Sequence, residues 1–199
     1  MHITLFDWAL ISLRWVHLFF GVMWLGHLYF LNFSQSQLSP ADSGRFRFSA
    51  LGTMIAGLLY LMIRGHQVKA AGLFGSSWGI FILIGSATGL LMWLNAWFVM
   101  RPAANMTAVT QERIARTSRT NLLLSFPLLF FMEAASHLPL NLSESPKLGL
   151  LGLLIVVILG ALELNALKGK MGPLKSLVGA IHIGVILTLV LLGLCLLLL

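Results

Sequence analysis

Six apolar stretches, at about 7–32, 47–64, 77–100, 120–138, 147–167 and 176–198, dominate this chain. Each is near the roughly 20 residues that a helix needs to cross a hydrocarbon core about 30 Å thick. Backbone inside lipid must satisfy its own hydrogen bonds, and no alternating strand pattern runs through these stretches. They therefore predict an all-α, polytopic integral membrane bundle of about six helices, forming one transmembrane domain over residues 1–199. Composition agrees: 58% of the 199 residues are hydrophobic and 10% are charged, against about 25% charged in a soluble domain. That balance excludes a soluble enzyme and a disordered chain. The net charge of +7 is spread over several short loops, so it forms no stripe for nucleic acid and leaves the lipid bilayer as the expected partner.

The loops divide by charge. Loops one, three and five with their flanks carry Arg45, Arg47, Arg101, Arg113, Arg116, Arg119, Lys168, Lys170 and Lys175, whereas loops two and four carry Arg64, Lys69 and Lys147. Basic loops stay on the cytoplasmic side, which predicts the inner membrane of a bacterium with both termini periplasmic. The start Met1-His2-Ile3 lacks the basic segment of a signal peptide, and no small-residue cleavage site follows the run 15–31, so the first span is expected to be retained. The polar stretch 102–118 predicts a short cytoplasmic helix around Val109–Thr117, either a topology anchor or a contact for acidic lipid or a partner. Pro127 predicts a kink in the fourth span. Gly21, Gly57, Gly85, Gly89, Gly160 and Gly184 are expected to let helices approach closely.

Polar residues inside a bilayer need a partner or a function. By their distance along each span they form two layers. The outer one holds Arg14, His17, His66, Glu133 and His137, and the inner one Asn95, Glu163, Asn165, His27 and His182. Arg14 and His17 share a helix face at i,i+3, as do Glu133 and His137 at i,i+4. Imidazoles facing one another across a bundle are axial ligands for haem b, and arginine suits its propionates. His17, flanked by Trp15, Phe19 and Phe20, is the leading candidate for the metal. His137 and His182 are candidate second ligands, with His137 taken as the other metal ligand, and Arg14 is the propionate partner. Alternatively, each histidine is simply hydrogen-bonded to a neighbouring helix. His17 and His27 stand about 80° apart around their helix, so they cannot line one haem from one face. Glu133 requires a partner, His137 or Arg14, and Glu163 is either a proton-relay element or a packing group bonded to Asn165.

Other chemistries lack support. The only aspartates are Asp7 and Asp42, at boundaries or in loops, and no H-E-x-x-H, Walker or dinucleotide pattern occurs. Cys195 has no second cysteine to bridge to, and no C-x-x-C-H is present for covalent haem. No internal repeat is visible, which argues against a transporter.

Several strings together resemble the membrane domain of the PuuD-type, cytochrome c-linked urate oxidases. They are Leu13-Arg14-Trp15-Val16-His17 with Gly21-Val22-Met23-Trp24-Leu25-Gly26 and Tyr29-Phe30-Leu31-Asn32-Phe33; Asn95-Ala96-Trp97-Phe98-Val99 with Pro102; Arg119-Thr120-Asn121 with Pro127 and Ser136-His137; and Glu163-Leu164-Asn165-Ala166-Leu167 with Gly172-Pro173. The resemblance runs in order along nearly the whole chain. It implies urate oxidation to 5-hydroxyisourate, with matched positions at Arg14, His17, Trp24, Asn95, Arg119, Asn121, His137, Glu163 and Asn165. The cytochrome c domain of the fused enzymes has no counterpart in this sequence, so electrons are expected to leave to a separate cytochrome, to quinone or to a larger membrane complex. The first helix, with His17 upstream of Trp24-Leu25-Gly26, is also similar to small membrane haem proteins. The sequence thus points to a membrane redox protein binding haem b, with oxidoreductase activity as the expectation. The alternatives are a non-enzymatic subunit or assembly factor and, third, a channel.

Overall fold

The computed structural model describes residues 4–34, 40–101, 107–138 and 147–199. These form an all-α bundle: α1 (Leu5–Ser34), α2 (Pro40–Gly75), α3 (Ser77–Leu94) continued by a π-helical turn (Asn95–Val99), α4 (Ala108–His137), α5 (Leu148–Lys168), a 3₁₀ turn (Gly172–Lys175) and α6 (Leu177–Leu198). Five of these helices, α1, α2, α3 with its π turn, α5 and α6, are long and apolar enough to cross a membrane. α4 is the more polar one, because it is the central element: it packs against α1, α3, α5 and α6. Its polar groups therefore face protein rather than lipid, with Thr117, Thr120, Asn121 and Ser125 all buried.

Helix starts follow ordinary capping chemistry. Thr107, Ser76 and Ser176 have extended backbones, and their hydroxyls accept from Thr110, Gly79 and Gly179 N–H groups respectively. Two helices differ from expectation. The stretch expected to hold a separate cytoplasmic helix is instead the first part of α4, which runs without interruption from Ala108 through Pro127 to His137. The break in the bundle lies in α2, where Lys69 adopts φ 59°, a left-handed conformation that is unfavourable for a side chain with a Cβ.

The helices alternate in direction. The loops after α1, α3 and α5 gather at one end, hereafter the basic end, and the termini lie at the other. Registers follow from pairs such as Trp24 against Phe46, Phe81 against Phe131 and Tyr29 against Ser125. Small residues set three of these contacts: a Cβ at Gly57 would lie 2.7 Å from the His17 ring, one at Gly85 3.0 Å from Met132, and one at Gly184 2.5 Å from Phe126. Gly160, by contrast, has open space around it. At Gly184 the cause is readable: Pro127 has no N–H, so the Leu123 carbonyl one turn earlier lacks its usual helical donor. Gly184 of α6 packs against that carbonyl, where an added Cβ would sit 2.8 Å away.

Candidate functional site at the basic end

The buried polar groups of the bundle concentrate at the basic end. The π turn is where they begin. Met100 N–H donates to the Asn95 carbonyl across five residues at 2.9 Å, and such wide turns recur at functional positions. The wider turn buries Asn95 and Ala96, leaves Trp97 half-buried and turns Phe98 outward. Asn95 is 1% exposed, and its amide donates to Asn121 Oδ1 at 2.8 Å and to Glu163 Oε2 at 3.0 Å. The Asn121 amide donates in turn to the Met92 carbonyl at 3.0 Å and to Met100 Sδ at 3.7 Å. One residue from each of the π turn, α4 and α5 thus meets in a single network. Both donors of Asn95 are used, while its Oδ1 and the Oε1 of Glu163 accept no hydrogen bond among the described residues.

A second set of contacts fixes this end. Arg116 is buried, and its guanidinium donates to the Ala166 carbonyl at 2.8 Å and the Leu167 carbonyl at 3.1 Å, with Glu112 3.3 Å away. These are carbonyls of the last turn of α5, which no intrahelical N–H can reach. Across the bundle, Asn32 donates to Ser118 Oγ at 2.9 Å. Tyr29 donates to Ser125 Oγ at 2.9 Å, the Ser125 proton being engaged on the Leu122 carbonyl.

The bundle also holds buried polar atoms without a partner among the described residues: Trp24 Nε1, Trp93 Nε1, Arg47 Nε, Arg119 Nη1 and the hydroxyls of Thr117 and Thr120. All six lie in the basic half of the bundle. Buried polar groups are nearly always paired, and each orphan asks for an explanation.

The histidines of the two expected polar layers are placed differently. His17 is half-buried, and its Nδ1 donates to the Thr53 carbonyl at 2.9 Å. His137 is exposed, and its Nε2 meets Glu133 Oε1 at 3.2 Å with both side chains 75% exposed. That answers the Glu133 question in favour of His137, at the surface of the bundle. His182 is exposed and donates from Nδ1 to Val178 in its own helix at 2.8 Å. His27 does the same to Met23 at 2.7 Å, in a shallow groove with Val22, Phe30, Asp42 and Arg45. Arg14 and His66 are exposed. His17, His27, His137 and His182 therefore each have a separate hydrogen-bond partner, and among the described residues no three His, Cys, Asp or Glu side chains gather as a metal-binding group. Glu163 pairs with Asn95, while Asn165 turns toward Gly169, just past the end of its own helix.

Sequence reasoning singled out Asn95, Asn121 and Glu163 but did not join them, and it read Arg116 and Arg47 as loop charges. One signal was available: α3 and α4 flank a single loop, so Asn95 and Asn121 stand at similar distances from it and must lie at similar depth. Comparison with known proteins found no matching family model, no matching curated protein and no matching solved structure.

Proposed function

We propose that this chain is a multi-pass redox protein of the bacterial inner membrane, with a small-molecule site at its basic end, on the cytoplasmic side. One observation carries the reading: the six unpaired buried polar atoms collect in the same half of the bundle as the Asn95–Asn121–Glu163 network. The free Asn95 Oδ1 and Glu163 Oε1 present acceptors, and Trp24, Arg119 and Thr120 present donors. A planar heterocycle with N–H and C=O groups on its edges complements such a mixture. Urate, the substrate implied by the sequence resemblance, is of that class. Its oxidation to 5-hydroxyisourate adds the oxygen of one water and releases two electrons and two protons. Glu163 is the carboxylate that takes a hydrogen bond from a ring N–H, and the electrons pass to a cytochrome c or to a larger membrane complex.

Haem b, as the one-electron acceptor within the chain, would be held by His17. Its Nδ1 is committed to the Thr53 carbonyl, an arrangement that fixes the tautomer and leaves Nε2 as the metal-facing nitrogen. His137 does not fit the same role in this arrangement, since its Nε2 is engaged by Glu133; His182 keeps its Nε2 unengaged. His17→Ala is expected to abolish the b-type bands of haem-supplemented, detergent-purified protein. It should lower stability by only about 1 kcal/mol, the worth of one hydrogen bond. A reduced-minus-oxidised spectrum with a pyridine haemochrome assay checks this, and unchanged bands in the variant would move the ligand elsewhere.

The complete hydrogen bonding of Asn121 favours a second reading, in which the network clasps three helices of a non-enzymatic subunit or assembly factor. Glu163→Gln separates the two. A glutamine keeps an acceptor for Asn95 and so preserves a clasp, but removes the charge that a substrate would meet.

A further inference from the structure

The same π turn that sends Asn95 inward brings Trp97 beneath Arg47, whose guanidinium carbon lies 4.1 Å from the indole ring centre. Trp97 is stacked on Trp93 at 5.9 Å. Four residues after Trp97, just past the π turn, comes the exposed Arg101. Among the described residues no carboxylate pairs with either Arg47 or Arg101. Of the carboxylate side chains among the described residues, Asp7 and Glu133 lie toward the opposite end. Asp42 is paired with Arg45 and Glu112 with Arg116, and Glu163 accepts from Asn95. The sequence between α1 and α2, and that between the π turn and α4, contains no acidic residue. Arg47 Nε is buried with no acceptor among the described residues, and an uncompensated buried donor on a cation is costly.

A guanidinium held over Trp97 with a buried donor that meets no acceptor among the described residues, and a second exposed arginine four residues beyond that indole, call for an anion from outside the chain. We propose that Arg47 and Arg101, with Trp97 supporting Arg47, bind a phosphate anion, carried by an anionic lipid headgroup or present as free phosphate. Phosphate matches the chemistry: its oxygens take several charge-assisted hydrogen bonds from arginine at once. The position matches as well, since the pair lies at the end of two apolar helices, at the depth where lipid phosphates stand and where tryptophan concentrates. This site is separate from the Asn95–Asn121–Glu163 network and does not depend on the redox reading.

The test is native mass spectrometry of the full chain released from nanodiscs of phosphatidylglycerol in phosphatidylcholine, with a parallel titration of inorganic phosphate in detergent. The wild type should retain phosphatidylglycerol over phosphatidylcholine. Arg101→Gln, at an exposed position that leaves folding intact, should weaken retention about tenfold, the loss of one charge-assisted contact. Arg47→Gln should weaken it at least as much, and Arg113→Gln, an exposed arginine at the same end, should leave it unchanged. Retention that falls in the two site variants and resists millimolar phosphate identifies the lipid. Loss of a phosphate-binding isotherm in the same two variants, without lipid preference, identifies the free anion. Equal retention of both lipids with no phosphate isotherm, or equal loss in all three variants, overturns the proposal.

Discussion

Gly184→Leu is expected to destabilise the bundle by about 3 kcal/mol or more, at the upper end of what overpacking a tight interface costs. The reason lies in α4 rather than in α6. Pro127 removes the N–H that would engage the Leu123 carbonyl, and α6 approaches that exposed backbone through a residue with no side chain. A Cβ at position 184 would meet the Leu123 oxygen at 2.8 Å and the Phe126 ring at 2.5 Å. The ring can rotate away, but a backbone carbonyl in a buried helix cannot. Because α4 is the hub of the bundle, the displaced α6 takes the α4–α6 contact with it. Gly160→Leu is the matched control: Gly160 has open space around it, so the same substitution there should change stability by less than about 0.5 kcal/mol. Thermal unfolding of the two variants in one detergent compares them. Equal melting temperatures would mean that α6 does not pack on α4 through Gly184.

The second large effect is expected at Arg116. Its side chain is 8% exposed and donates to two carbonyls in the last turn of α5. A helix end leaves such carbonyls unpaired, and a cation there also meets the negative end of the helix dipole. Arg116→Met keeps the length of the side chain but removes every donor, stranding both oxygens in a buried place. Each stranded group costs roughly 1–3 kcal/mol, so a loss of about 3 kcal/mol is expected, with the end of α5 fraying first. Arg116→Lys should recover part of it, since one ammonium cannot reproduce the planar fork. Hydrogen exchange at Ala166 to Gly169 reads the local effect. Unaltered protection there in the methionine variant would show that Arg116 is not what closes α5.

The limits of three helices were readable from hydropathy. The expected 47–64, by contrast, is part of the longer Pro40–Gly75, and the expected 120–138 falls in Ala108–His137, which is not among the five helices apolar enough to cross a membrane. The expected 147–167 and 176–198 became Leu148–Lys168 and Leu177–Leu198, and 7–32 became Leu5–Ser34. Hydropathy alone decides such limits, since the chain must stay apolar across the hydrocarbon. It decides less once a helix is surrounded by protein. α4 is less apolar than its neighbours, and its charged first turns are a continuous part of the helix rather than a separate loop segment. Partners within the bundle were less readable still. Glu163 was matched by sequence proximity to Asn165, yet it meets Asn95, 68 residues away. The histidines looked like members of two facing layers because depth along a helix says nothing about which way a side chain faces. In the structure His137 and His182 are exposed, whereas His17 lies against Gly57 of α2. The π turn left no sequence signal, because the shift from four-residue to five-residue spacing comes from tertiary fit around Asn95. Arginine was misread for a similar reason: a charge near a span end looks like a topology signal whether it faces water, as Arg113 does, or a helix terminus, as Arg116 does.

The central claim is that Glu163 and its two asparagine partners form a redox substrate site and not only a clasp between helices. The most direct measurement is urate-dependent reduction of added cytochrome c by the haem-supplemented protein in nanodiscs, comparing wild type with Glu163→Gln. Electron transfer is expected in the wild type, with a loss of about a hundredfold or more in the variant, on the scale of a missing electrostatic group in an active site, and with a melting temperature nearly unchanged. No urate-dependent reduction by folded, haem-loaded wild type, or equal rates in the two proteins, would contradict it.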